Sequence, residues 1–287
     1  RMNSPKGRFP TWLKRRLGSG ETFVHTQKTL DKLGLETICT NANCPNRGDC
    51  WSRGTATVLI LGNLCTRNCR FCSVGHGKPL PPDPTEPQRV ADLAQKMNLR
   101  YLVITSVDRD DLPDGGAEHF RQVVLTCRNR IPQIELELLV PDFRDCQDRA
   151  IEILSDARPF VFGHNVETVP QLYSKARPGG DYQRSLALLK KAKDRWPQTQ
   201  TKSALMLGLG ETEDQIRQVL QDLRSVGCDR IAIGQYLKPD KNCLDVEEFI
   251  TPEKFDQWAD QARRFGFTWV MASPFTRSSY RAEEKTL

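Results

Sequence analysis

The chain has 287 residues, 38% of them apolar and 27% charged, and a formal net charge of +6. That size and balance suit a globular chain with one large core or two modest ones. Its longest apolar run, around residues 58–61, is far short of the roughly 20 residues that cross a bilayer, so no membrane span is expected.

In chain order, residues 1–28 are basic but lack an apolar stretch of roughly 7–15 residues followed by small ones, so no secretory signal is expected. Lys6, Arg8, Lys14, Arg15 and Arg16 carry part of the charge excess. They read first as a solvated tail and second as a patch attracting an acidic partner. Residues 1–54 read as an N-terminal extension, 55–266 as the main domain, and 267–287 as a last strand and polar tail. Short β-branched runs predict strands at 57–61, 101–105, 135–139, 160–163, 202–207 and 230–234. Apolar residues three and four apart predict helices at 87–97, 117–128, 144–154, 181–195, 213–226 and 253–265. Thr212 and Thr251 suit helix N-caps, the latter followed by Pro252. Residues 78–87, with five prolines in ten, predict a rigid loop, and 268–272 a final strand. Six βα units imply an open, partial (β/α)6 barrel of the TIM type, its mouth covered by the extension and the tail; a doubly wound sheet is the competing architecture.

Of ten cysteines, six fall within residues 39–72. With no signal peptide and a core large enough to need no staples, reduced metal-binding thiols are favoured over disulfides, in a reducing compartment. Cys65, Cys69 and Cys72 form a C-x3-C-x2-C array directly after the first predicted strand, where barrel active sites are built. A structural zinc site wants four ligands, and residues 62–75 offer no fourth cysteine or histidine. Reading Cys69 and Cys72 as a redox pair leaves Cys65 idle. Three thiolates on one loop suit a 4Fe-4S cluster with one iron open to a small molecule.

This array, with Phe71 before its last cysteine, resembles the signature of radical S-adenosylmethionine (SAM) enzymes. The resemblance implies that Cys65, Cys69 and Cys72 hold a 4Fe-4S cluster that binds SAM by its amino and carboxylate groups and cleaves it to methionine and a 5'-deoxyadenosyl radical. Cys39, Cys44 and Cys50 form a second array, C-x4-C-x5-C, with Pro45 and Asn46 at its centre and Trp51 after it. Together with Arg277, Ser278, Ser279 and Tyr280 it resembles the auxiliary-cluster motif of the lipoyl synthase family. That implies a second 4Fe-4S cluster on Cys39, Cys44 and Cys50, with Ser279 as fourth ligand and Ser278 in reserve. If the segment is extended, only one of the two serines can reach the iron. Residues 110–116, 164–168, 208–212 and 235–237 also resemble family segments, so the resemblance spans residues 20–281.

The implied SAM contacts are Thr105, Ser106, Asn165, Gly208 and Glu211. Against the family's looser Gly-x-Ile-x-Gly-x-x-Glu pattern, Ala204 and Met206 replace the first glycine and the isoleucine. Simpler readings stand beside these. Residues 110–116 suit a turn and helix start, His164 a satisfied core histidine, and Asn165 a turn cap. A dinucleotide site at Gly208 and Gly210 is disfavoured, because Glu213 takes the third glycine position and Glu211 adds a second acid. Cys127, Cys146, Cys228 and Cys243 lack motif spacing and read as small buried residues.

The implied activity is that of a sulfurtransferase: insertion of two sulfur atoms at C6 and C8 of a protein-bound octanoyl-lysine, consuming two SAM per lipoyl group and sulfur from the auxiliary cluster. The chemistry fits the parts. Methylene carbons have no acidic proton, so side-chain acids and bases cannot prepare them and a radical cofactor must. A serine oxygen holds cluster iron less tightly than a thiolate and can release it. The implied partners are octanoylated carrier domains (2-oxoacid dehydrogenase E2 subunits, glycine cleavage H protein), an electron donor such as flavodoxin or ferredoxin, and an iron-sulfur carrier, in the cytoplasm, without nucleic acid or membrane. A zinc-dependent nucleic-acid-binding module is the alternative from another class, and it lacks closed four-ligand sites and interleaved basic and aromatic residues. A radical enzyme inserting sulfur into biotin precursors or tRNA is the nearer alternative, and the first trio paired with residues 277–280 argues against it.

Overall fold

The computed structural model describes residues 10–14 and 18–284. Lys6, Arg8, Arg15 and Arg16 lie outside them, and Lys14 is exposed. After one helical turn at Thr11–Leu13 come α1 (Glu21–Leu33), β1 (Glu36–Thr37), α2 (Ile38–Asn41) and α3 (Arg47–Ser52). The barrel proper runs β2 (Thr57–Ile60), β3 (Leu64–Cys65), β4 (Gly75–His76), α4 (Glu86–Lys96), β5 (Tyr101–Ser106), α5 (Ala117–Arg130), β6 (Glu135–Leu139) and α6 (Gln147–Ile153). It continues through β7 (Val161–Gly163), α7 (Tyr173–Ala176), α8 (Tyr182–Arg195), β8 (Gln200–Leu207), α9 (Glu213–Ser225), β9 (Arg230–Gln235), α10 (Pro252–Phe265) and β10 (Trp269–Ser273).

The main sheet has the order β1-β2-β5-β6-β7-β8-β9-β10, and β3 pairs with β4 in a separate ribbon. Every pairing from β2 to β10 is parallel, whereas β1 is antiparallel to β2. Each new strand joins the same growing edge, which rules out a doubly wound sheet, whose order must reverse. β1 and β10 are not paired with each other, so the sheet is an open barrel. All six expected units are present, and the last strand adds a seventh parallel member. Buried on both faces, the inner strands β2 and β9 carry the unbroken apolar runs Val58, Leu59, Ile60 and Ile231, Ala232, Ile233 rather than alternating patterns.

Boundaries differ where the backbone turns. Leu61 takes φ +67°, which ends β2 a residue before the expected limit. Phe143 and Asp145 both have positive φ, so α6 starts at Gln147 rather than at 144. α4 begins at Glu86, one residue before the expected start at Pro87, and holds that proline in its first turn, where it forfeits no helical hydrogen bond. The two expected caps form: Thr212 accepts from Gln215 N, with the reciprocal bond completing a capping box, and Thr251 accepts from Lys254 N. α1 and α3 were not anticipated; they pack through Phe23 and Trp51, ring centroids 5.4 Å apart. No described helix is long and apolar enough to cross a membrane.

Candidate active site

A cavity of about 530 Å3 opens at the C-terminal ends of the parallel strands. Barrel residues in its wall include Leu59, Thr105, Ser106, Leu139, Asn165, Ala204, Met206 and Ala232. Leu13 and residues 42–45 reach it from the N-terminal side, and residues 275–279 from the C-terminal side. A side chain at Gly234 would collide with Thr276 O, so the absence of one lets the tail lie directly on β9. Extension and tail thus both lie across the mouth.

The second trio rides on the loop that follows β2, and all three of its cysteines line the cavity. Arg67, nearly buried, anchors that loop. Its guanidinium donates to Asp110 at 2.7 and 2.6 Å and to Asp142 at 2.6 Å, and it pairs with Asp108 at 3.4 Å. Asp142 also accepts from Arg184 Nε at 2.8 Å. Burial alone would raise the Asp142 carboxyl, but the bonds from Arg67 and Arg184 hold it well below the usual carboxylate range. Asp108, Asp110 and Asp142 gather closely enough to bind a cation. Arg67 already occupies that role, so they form an ion pair network and not a metal site. Thr66 Oγ1 donates to Asp108 O and Asp108 N donates to Cys65 Sγ, tying the loop to the end of β5. His76 is exposed on β4.

The first trio spans two short helices. Cys39 lies in α2, whose N-cap Thr37 accepts from Thr40 N at 3.2 Å; Cys50 lies in α3, and Cys44 sits between them. Cys44 reaches the cavity wall, while Cys39 and Cys50 pack behind it against the core. Ser73, beside Cys72, joins the two trios: its Oγ donates to Asn41 O at 3.1 Å and accepts from Asn43 Nδ2 at 3.4 Å. The C-terminal motif clasps the same region, with Tyr280 OH donating to Asp49 at 3.0 Å and Asn46 Nδ2 to Phe275 O at 2.7 Å.

The segment carrying the two serines is not extended. It turns, with Tyr280 N donating to Arg277 O at 3.0 Å, so strand alternation does not choose between the serines. A different contact separates them. Both line the cavity, and Ser278 Oγ donates to Asn165 Oδ1 at 3.0 Å.

The donor set fits clusters. All ten cysteines are free thiols. Burial pushes Cys65 up to about 11 and Cys69 and Cys72 up to about 12. Burial likewise raises Cys39 to about 11 and Cys50 to about 12, with the neighbouring thiols of their own trio adding to the rise. Such sites hold protons until a bound cation displaces them. Among the described residues, neither trio gathers its three sulfurs within 4.8 Å of one another, as ligands of a single zinc ion would be. A multi-iron cage suits the wider spread.

Of the expected SAM contacts, Thr105, Ser106 and Asn165 line the cavity. Thr105 Oγ1 donates to Leu139 O at 2.9 Å, and Asn165 Nδ2 donates to Glu167 at 2.9 Å. Gly208 and Glu211 stand apart from the cavity wall. The Glu211 carboxylate accepts from Gly208 N and Leu209 N, closing its own loop. Gly208 has φ +99°, and a side chain there would strike Gln235 and Glu248 O. These two residues therefore fix the turn after β8, while Ala204 and Met206 face the cavity. Residues 110–116 do form a turn and helix start, with Asp114 accepting from Gly116 N and Glu118 N.

Sequence reasoning missed Arg67, Asp108, Asp142 and Arg177. Arg177 is buried and donates to Asn165 O at 3.0 Å, and its charge lies close enough to Cys69 to lower that thiol against the effect of burial. His164 meets the simpler expectation: its ring nitrogens lie 2.8 Å from Val140 O and 3.0 Å from Ser185 Oγ. Burial, then the Arg177 cation, pushes it down to about 3. The unfolded chain, whose histidine titrates near 6.5, then binds more protons than the folded one. Its share of stability is complete above about pH 6.5 and is lost toward pH 3 at up to ~1.4 kcal/mol per unit. Urea unfolding of a His164→Gln variant between about pH 4 and 7 should show a shallower acid loss than the parent.

An open parallel barrel with a C-x3-C-x2-C loop after its first parallel strand defines the class of radical SAM enzymes, and the Radical SAM superfamily profile matches residues 59–223. Streptococcus suis SuiB bound to S-adenosylmethionine superposes with a TM-score of 0.58 at 11% identity, over 79% of this chain and 54% of that one. Methylornithine synthase (PylB) gives 0.51 at 12% identity, over 91% and 88%. At such identities the likeness is one of fold. Lipoyl synthase of Methylococcus capsulatus is 49% identical over 278 residues, covering 97% of this chain and 86% of that protein. Lipoyl synthase of Haemophilus influenzae is 49% identical over 275 residues, covering 96% and 86%. The chain belongs to the lipoyl synthase family.

Proposed function

We propose that this chain inserts sulfur at C6 and C8 of an octanoyl group borne on a protein lysine, producing the lipoyl group. One observation carries the reading: a single cavity is lined by all three cysteines of the second trio, by Cys44 of the first, whose other two cysteines pack behind it, and by Ser279. Cys65, Cys69 and Cys72 would hold the cluster that binds SAM, and Cys39, Cys44, Cys50 and Ser279 the auxiliary one. When bound, these groups supply the 5'-deoxyadenosyl radical and the sulfur.

The protein's own part is placement and protection. Arg67 and its carboxylates hold the second loop rigid, so the reacting groups meet at fixed distance. Thr105, Ser106 and Asn165 offer polar contacts to SAM, and the apolar remainder of the wall receives the acyl chain. The extension and tail exclude water and oxidants from the radical. In this division, 1–54 carry the auxiliary cysteines, 55–266 the SAM site, and 267–287 the serine.

The hydrogen bond from Ser278 to Asn165 supports Ser279 as the iron ligand, with Ser278 in reserve. Ser279→Ala is expected to lower lipoyl peptide formation by about 100-fold or more, and Ser278→Ala by about tenfold or less. Equal losses would remove the distinction.

The substrates are octanoylated carrier proteins such as E2 subunits of 2-oxoacid dehydrogenases or the glycine cleavage H protein. Flavodoxin or ferredoxin provides electrons, an iron-sulfur carrier rebuilds the auxiliary site, and the cytoplasm is the compartment that suits ten free thiols. The test is anaerobic reconstituted enzyme with SAM, dithionite and an octanoyl-lysyl peptide. Mass spectrometry should find two added sulfurs; sulfur found only in tRNA or a biotin precursor would overturn the proposal.

A further inference from the structure

We infer that a layer of buried charged side chains inside the barrel, led by Glu137 and Lys202, sets the depth of the acyl pocket, with Ala204 and Ala232 as the wall just above it. This rests on the acyl substrate proposed above.

The strand register places the layers. Leu59, Thr105 and Leu139 are neighbours across β2, β5 and β6, and Ala204 and Ala232 across β8 and β9. All five line the cavity. Residues two apart on a strand face the same way, roughly 6.6 Å along it. The next layer down is therefore Val103, Glu137, Lys202, Arg230 and, beside Arg230, Trp269. None of these reaches the cavity wall.

That lower layer is closed by its own charges. Lys202 Nζ lies 2.9 Å from Glu137 Oε1, and both side chains are 0% exposed. Tyr101 OH donates to Glu137 Oε2 at 2.5 Å. Lys202 Nζ lies 4.7 Å from the Trp269 ring centroid, and Arg230 sits 5.7 Å from the same centroid. A hydrocarbon pushed into this layer would separate buried partners and give them nothing in return, so the terminal methyl stops at it.

The wall above faces the proposed sulfur source. Ala204, Ala232, Trp269, Met271 and Tyr280 pack as one apolar group, and Cys50 of the first trio packs against it. The carbons that receive sulfur must come to that side. Two alanines on adjacent strands leave room there for an alkyl chain.

The test is binding of hexanoyl-, octanoyl- and decanoyl-lysyl peptides, fluorescently labelled, to anaerobic holoenzyme with SAM and no reductant, read by anisotropy. Each methylene buried tightens binding about fourfold, so octanoyl should bind about 15-fold tighter than hexanoyl, and decanoyl no tighter than octanoyl. In Ala232→Val the octanoyl advantage should shrink to about threefold or less with hexanoyl affinity unchanged, which also reports a folded variant. Decanoyl binding another ~15-fold tighter than octanoyl overturns the floor, and a full octanoyl advantage in Ala232→Val overturns the wall. The wild-type series decides alone if the variant does not fold. Equal binding of all three peptides and the unacylated one would instead overturn the proposed substrate, and this inference with it.

Discussion

A Cys69→Ala enzyme is expected to lose 5'-deoxyadenosine formation while keeping about half of its iron, and a Cys44→Ala enzyme to keep 5'-deoxyadenosine formation while making no lipoyl product. The two trios are built from separate local structure: one loop after β2 pinned by Arg67, and two short helices before it. Losing one thiol should therefore empty one site and spare the other. Iron and sulfide analysis, with chromatography of SAM products, reads both outcomes. If either substitution strips all the iron from a folded chain, or both abolish both activities, the two-cluster reading fails.

The second large effect falls on stability. Arg67→Leu leaves Asp142 fully buried with Arg184 alone as its cation, and strips the shared cation from Asp108 and Asp110 close by. Removing one partner of a buried ion network costs about 3–5 kcal/mol, which urea unfolding of the cluster-free chain should show. Arg67→Lys should recover only part of it, since one ammonium cannot reproduce a planar fork that reaches two carboxylates at once. Acid should narrow the gap. The Asp142 carboxyl is depressed in the folded chain, so its contribution is present above the ordinary carboxylate range and lost below it. A loss under about 1 kcal/mol near neutral pH would show that the network does not hold the loop.

Much of the barrel was legible because its strands are short runs rich in β-branched and apolar residues set between amphipathic helices, and the six expected strands recur within a residue or two. β1, β3 and β4 are two residues each, too short to show any period. α1 did carry a signal, Leu30 and Leu33 ahead of Gly34 in the left-handed conformation, which the cysteine pattern overshadowed. Cysteine spacing marked both trios because each is local in sequence. The partners of Arg67 were invisible, since Asp142 lies 75 residues away and only the β6 to β7 connection brings it near. Glu211 shows the opposite case: the sequence pattern kept the residue, but its carboxylate is spent on backbone amides two and three positions back.

The clasp between α3 and the tail joins segments more than two hundred residues apart: Tyr280 to Asp49, Phe275 to Asn46, and Arg53 to Glu283 at 3.2 Å. During synthesis the loop of Cys65, Cys69 and Cys72 can find Asp108 and Asp142 while later strands are still being made. The pocket behind Cys44 cannot be finished until residues 275–283 have left the ribosome, about a minute or less after Cys50 at ordinary elongation rates. Iron can thus enter one site on a nascent chain well before the other has all of its parts.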